Sequence, residues 1–134
     1  MEIKYYEASL DAVAERLEAT LEKLPDLLIA ILFGSVLRRK FVRDVDIAVY
    51  FRYEESLKDL IELAGTLEDE LGLPIDVVPL REVPPKLKLK ILLEGVKLIV
   101  RDSQLYWSLT SQALAEVFDV ELKYRSLRDE KALK

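Results

Sequence analysis

Residues 32–51 read LFGSVLRRKFVRDVDIAVYF, and the way this stretch folds governs everything around it. It joins two apolar runs. The first, LLIAILFG at residues 27–34, is short, continuously apolar and closed by a glycine. That pattern predicts a central strand covered on both faces. The second, from Val45 to Phe51, is rich in β-branched and aromatic residues and predicts another strand. Between them SVLRRKFVR, residues 35–43, is basic and predicts a short helical turn or loop. The unusual feature is Asp44-Val45-Asp46 at the mouth of the second strand.

Residues i and i+2 of a strand project to the same side, so Asp44 and Asp46 are expected side by side. Two ionised carboxylates that close repel each other and lose hydration near a core, so something must compensate. A divalent cation with a preference for oxygen, Mg²⁺ above all, is one candidate. A strand-end turn, or salt bridges to the neighbouring arginines, is the structural alternative. A third acid, Asp76, lies inside the apolar run PIDVV. If that strand lies beside the second one, Asp76 joins Asp44 and Asp46, and three carboxylates can hold one or two Mg²⁺ ions. On the other side of the connection, Gly34 allows close approach of backbone to a phosphate. Ser35 adds a hydroxyl, and a helical turn starting there presents free N–H groups to an anion. Arg38, Arg39, Lys40 and Arg43 follow and can neutralise phosphate charge.

Working outward, apolar residues at Leu10, Val13, Ala14, Leu17, Leu21 and Leu24 have helical spacing, and Pro25 marks a stop. Residues 55–71 repeat the pattern and end at Gly72. LPIDVVPL is a short strand between Pro74 and Pro79. Pro84 and Pro85 suit the first turn of a helix reaching Glu94, Gly95 closes it, and VKLIV is a further strand. Asp102 or Ser103 caps a last helical region running into the 120s, with more apolar surface than one narrow stripe needs. The order helix, strand, strand, helix, strand, helix, strand, helix predicts a small mixed sheet flanked by helices, an α/β (α+β) chain.

Composition narrows the chemistry. At 134 residues, half of them apolar, the chain fits one domain with a real core. It has no cysteine and no histidine, which excludes disulfides, thiolate zinc sites, imidazole-ligated metals and Ser-His-Asp catalysis. Catalysis must then use carboxylates, Lys, Arg, Tyr or Ser. A net charge of −5 disfavours a protein that coats nucleic acid. No apolar run is long enough for a membrane span and the N-terminus lacks a signal-peptide core, so a cytoplasmic location with no membrane partner is expected. The absence of asparagine, with abundant Glu, Lys and Arg, resembles the bias of proteins from thermophiles.

Gly34-Ser35, then Asp44-Val45-Asp46, then Asp76 in a later strand, resembles the minimal nucleotidyltransferase family of the DNA polymerase β-like superfamily. ILLEGVKLIVRD also looks like the closing helix and strand of that family. The resemblance implies a nucleotidyltransferase domain over residues 1–102 and a C-terminal helical extension over residues 103–134, within one domain. It implies that Gly34 and Ser35 hold phosphate and that Arg38 occupies the place of a frequent phosphate-binding arginine. It further implies that Asp44, Asp46 and Asp76 bind Mg²⁺, with Asp76 favouring deprotonation of an acceptor. The eight residues between Ser35 and Asp44 form a shorter connection than is usual in the family. The resemblance extends to an antitoxin role: transfer of AMP from ATP to a tyrosine of a HEPN-domain ribonuclease toxin. The apolar last helix fits a buried interface with such a partner or with a second copy of the chain. Two alternatives stand beside this one: transfer to a small molecule, and an antitoxin that acts by binding alone.

Overall fold

The computed structural model describes residues 2–132. Ten regular elements follow in order: β1 (Tyr6–Glu7), α1 (Leu10–Leu21), β2 (Leu27–Phe33), β3 (Phe41–Val42), β4 (Val45–Phe51), α2 (Leu57–Leu71), β5 (Ile75–Pro79), α3 (Pro85–Glu94), β6 (Val96–Val100) and α4 (Ser103–Ala132). Single 3₁₀ turns stand at Ser35–Leu37 and Leu80–Glu82.

The main sheet has the order β5-β4-β2-β6. β2 runs antiparallel to both β4 and β6, and β4 runs parallel to β5 with α2 as the crossover. The expected mixed sheet is therefore present, and LLIAILF is one of its two central strands. Alternation along β2 feeds two cores. Ala30 and Leu32 pack with Val13, Leu17 and Leu21 of α1 and Leu60 and Leu67 of α2. Ile29 and Ile31 pack with Ile91 and Leu92 of α3 and Tyr106 and Ala113 of α4. Helices thus cover both faces, which is why β2 carries no polar residue. Alternation in β4 divides in the same way. Val45, Ile47 and Val49 face α1 and α2, whereas Ala48 and Tyr50 lie on the α3–α4 side. By the same period of two, Asp46 falls on the α3–α4 side, past the last core residue.

Some boundaries differ from expectation. α1 ends at Leu21 rather than near Leu24, because the chain turns through residues 22–26 into β2. The last helix continues to Ala132, beyond the 120s; residues 133 and 134 of the expected extension lie outside the described residues. The basic connection is not only a turn. After the 3₁₀ turn it forms β3, which pairs with β1 (Tyr6↔Val42, Glu7↔Phe41). Neither two-residue strand has a periodic signal; each exists only because the other is there. Caps behave as read: Gly72 adopts a left-handed conformation (φ 73°) after α2, and Asp102 Oδ1 accepts from Leu105 N–H at 2.9 Å before α4. α2 also begins in a reciprocal cap, Ser56 Oγ accepting from Asp59 N–H and Asp59 Oδ2 from Ser56 N–H.

A buried polar knot holds the site strands in line. The Glu55 side chain is almost fully buried; it accepts from Phe51 N–H at 2.9 Å and lies 3.4 Å from Arg81 Nε. Arg81 donates to the carbonyls of Phe51 and Tyr53 and covers the Tyr50 ring at 3.7 Å. The end of β4 is thereby tied to the turn that follows β5.

Candidate active site

Sheet register assembles the carboxylates. Phe33 pairs with Asp46 across β2 and β4, and Asp46 pairs with Asp76 across β4 and β5. Paired residues of adjacent strands share a face, so Asp46 and Asp76 stand next to each other at one end of the sheet. Asp44 lies one residue ahead of β4 and contributes charge to the same spot. Gly34 closes the arrangement from β2. Its backbone (φ 85°, ψ −154°) lies in a region reserved for glycine, and a Cβ there would collide with Asp46 Oδ2 and stand 3.1 Å from its Cγ. Ser35 starts the 3₁₀ turn immediately after, with Arg38 and Arg39 N–H groups donating back to its carbonyl.

The cluster is electrostatically costly. The Asp46 carboxyl is raised from an ordinary 3.8 to about 6, first by burial, then by the charge of Asp44, then by that of Asp76. A cation would offset all three causes, and an all-oxygen donor set suits Mg²⁺. Among the described residues no three acids close into a finished cage. Mg²⁺ commonly keeps waters and takes part of its ligand set from substrate phosphates, so one or two carboxylates are enough to hold it.

Three clefts lie around this end of the sheet. Ser35 and Asp44 line one of about 520 Å³ together with Tyr5, Arg39, Phe41, Val42 and Arg43. Asp46 and Asp76 line a second, of about 420 Å³, with Phe33, Val78, Pro79, Glu82, Pro84 and Leu87 among its walls. Gly34 and Arg38 line a third, smaller one against Leu87, Lys90 and Glu94 of α3. The structure thus separates Arg38 from Ser35 and Asp44 and puts Arg39 and Arg43 in the cleft with them. Of the four cations in the connection, the family resemblance points to Arg38, and the cleft of Ser35 and Asp44 holds Arg39 and Arg43 instead. The reason is the β1–β3 ladder, which buries Val42, leaves Phe41 exposed and fixes how the basic connection passes the serine; local sequence carries no signal for it. Tyr5 is an exposed wall of the same cleft.

Residues 15–104 match the polymerase beta nucleotidyltransferase family. The chain belongs to that family. This nucleotidyltransferase is also 40% identical, over 72 residues, to a Methanocaldococcus jannaschii protein bearing the name "Putative protein adenylyltransferase"; the match covers 52% of this chain and 77% of that protein. Its fold is shared with a chain of the MntA–HepT toxin–antitoxin crystal structure (TM-score 0.69, 21% identity, 90% of this chain and 97% of that one). It is shared equally with a chain from the complex of a tri-AMPylated Shewanella oneidensis HEPN toxin with its MNT antitoxin (TM-score 0.70, 21% identity, 90% and 96%). A toxin–antitoxin structure with AMP-PNP aligns at TM-score 0.71 with 22% identity, covering 87% of this chain and 96% of that one. The expected nucleotidyltransferase fold is present, with α4 appended. Among the described residues no helix is long and apolar enough to cross a membrane.

Proposed function

We propose that this nucleotidyltransferase moves AMP from ATP, with Mg²⁺, to a tyrosine hydroxyl of a HEPN-type ribonuclease toxin, and so acts as its antitoxin. The observation that carries the reading is the register Phe33–Asp46–Asp76, which sets the glycine turn and the acids at one end of the sheet.

Asp44, Asp46 and Asp76 are the residues that would hold one or two Mg²⁺ ions, whose charge counters that of the triphosphate and of the acceptor oxygen. Ser35 and the turn it opens, with Arg39 and Arg43 along the same cleft, would bind the β- and γ-phosphates. Gly34, lacking a side chain, leaves room for the Asp46 carboxylate against the β2 turn. The acceptor approaches along the cleft of Asp46 and Asp76. Its oxygen bonds to the α-phosphorus as the bond to pyrophosphate breaks, and the hydroxyl proton passes to an Asp76 carboxylate oxygen and then to solvent. Support comes from the family match, from the name of the archaeal relative, and from the fold shared with antitoxin complexes.

The test is the intact mass of a HEPN-type toxin after incubation with the protein, ATP and Mg²⁺. A gain of one or more AMP units is expected with the natural protein and none with Asp44→Asn/Asp46→Asn. An inhibited, complexed toxin of unchanged mass would refute transfer and leave an antitoxin that works by binding.

A further inference from the structure

The free half of α4 forms a groove with the start of α3. Its volume is about 540 Å³, and its floor is apolar: Pro84, Pro85, Val117, Val120 and Tyr124. Its rim carries Lys86, Arg125 and Arg128 against a single acid, Glu121. On a chain of net charge −5 this is a local reversal of sign. Among the described residues none of the three cations is held in an ion pair. Arg128 lies over the Tyr124 ring at 5.2 Å, which pre-orders the guanidinium while leaving its N–H groups free. The groove also borders the chemistry, because Pro84 lines both it and the cleft of Asp46 and Asp76.

We propose that this α3–α4 groove docks an acidic, aromatic-bearing segment of the protein substrate and feeds its hydroxyl toward Asp76; the proposal rests on the transferase reading above. The physical reason is a conflict of charge. Three carboxylates repel an acidic peptide, so its binding energy must come from a cationic surface set to one side. Apolar floor residues then accept the aromatic side chains of the segment. A single-stranded nucleic acid fits less well. The Tyr124 face that a base would stack on is already covered by Arg128, and the remainder of the floor is proline and valine.

The probe is a fluorescent glutamate–tyrosine copolymer, whose binding to the full chain is followed by anisotropy at low salt, without ATP. Arg125 and Arg128 are exposed, so Arg125→Glu/Arg128→Glu should keep the fold, checked by circular dichroism. It should weaken copolymer binding about tenfold or more. Lys23→Glu/Lys58→Glu makes the same change of net charge on exposed positions outside the groove and should bind within about twofold of the natural chain. Equal affinity of the natural chain and the arginine variant would overturn the proposal. So would an equal loss in the lysine control, or displacement of the copolymer by poly(U) at lower concentration than by unlabelled copolymer. Binding of a fluorescent ATP analogue with Mg²⁺, read on the natural chain, separates the two readings. Copolymer binding without ATP binding would leave the groove standing and remove the transferase, and the converse would remove the groove.

Discussion

Asp46 allows a quantitative test of whether the carboxylate cluster is a strained functional site. Its pKa is raised from 3.8 to about 6, so ionising it is harder in the fold than in the unfolded chain. Between about pH 4 and pH 6 the folded state therefore binds more protons; stability falls as pH rises through that window, and the whole penalty is in place above about pH 7. At about 1.4 kcal/mol per pH unit the shift corresponds to ~3 kcal/mol, and because the carboxyl is half exposed, screening brings the effective figure to roughly 1–2 kcal/mol. Asp46→Asn removes the charge while keeping the shape. In EDTA near pH 8 it should be more stable than the natural chain by that amount, raising Tm by roughly 3–8 °C, while AMP transfer is lost. Near pH 4 the two should melt together, since the natural Asp46 is then protonated. Adding Mg²⁺ should raise the Tm of the natural chain more than that of the variant. Thermal unfolding by circular dichroism at both pH values decides it. A variant that melts at or below the natural chain near pH 8, or gains equally at both pH values, would refute the claim that burial and the charges of Asp44 and Asp76 strain this position.

Gly34→Ala should cost about 1–3 kcal/mol from the backbone conformation alone, plus the overlap with Asp46; Gly34→Ala/Asp46→Ala should recover part of the loss, and urea unfolding separates the two contributions. Arg39→Ala/Arg43→Ala should raise KM for ATP about tenfold or more, whereas Arg38→Ala should change it less, because Arg38 lies in a different cleft from Ser35; steady-state kinetics showing the reverse order would place the phosphates against α3 instead. Glu55→Ala strips Arg81 of its buried partner and Phe51 N–H of its acceptor, so a loss of ~3 kcal/mol in urea unfolding is expected, with faster hydrogen exchange along β4 and β5. An unchanged unfolding midpoint would mean that the knot does not hold those strands.

Much of the surface of α4 remains uncovered in the single chain. Tyr106, Thr110 and Ala113 are buried against the body, while Trp107, Leu114, Phe118, Leu122 and Leu127 are exposed. One helix cannot shelter apolar residues on every side while only one flank meets α3, so the pattern asks for a further protein surface. That is in keeping with the proposed partner, and with the groove that the same helix builds against Pro84 and Pro85.

Local signals were enough for the helices and for the strands of the main sheet. The unbroken run LLIAILF, the β-branched run from Val45 to Phe51 and the helical spacing of Leu57 to Leu71 each bury a face that only one kind of element can bury, and Gly72 and Asp102 end or begin helices by chemistry confined to a few neighbours. The same locality made Gly34-Ser35 and the paired acids visible, because a glycine turn and two carboxylates at the mouth of an apolar strand cost free energy wherever they fold. What needed the tertiary structure were the relations between distant segments. Asp76 stands beside Asp46 only through the parallel β4–β5 register, set by the α2 crossover and tied by Glu55 and Arg81. The cleft shared by Ser35, Arg39 and Arg43 exists only because two residue pairs, thirty-odd positions apart, form a ladder too short to leave a periodic trace. Side-chain periodicity records which face of an element is buried; it does not record which element does the burying, and that second fact determines which charges meet.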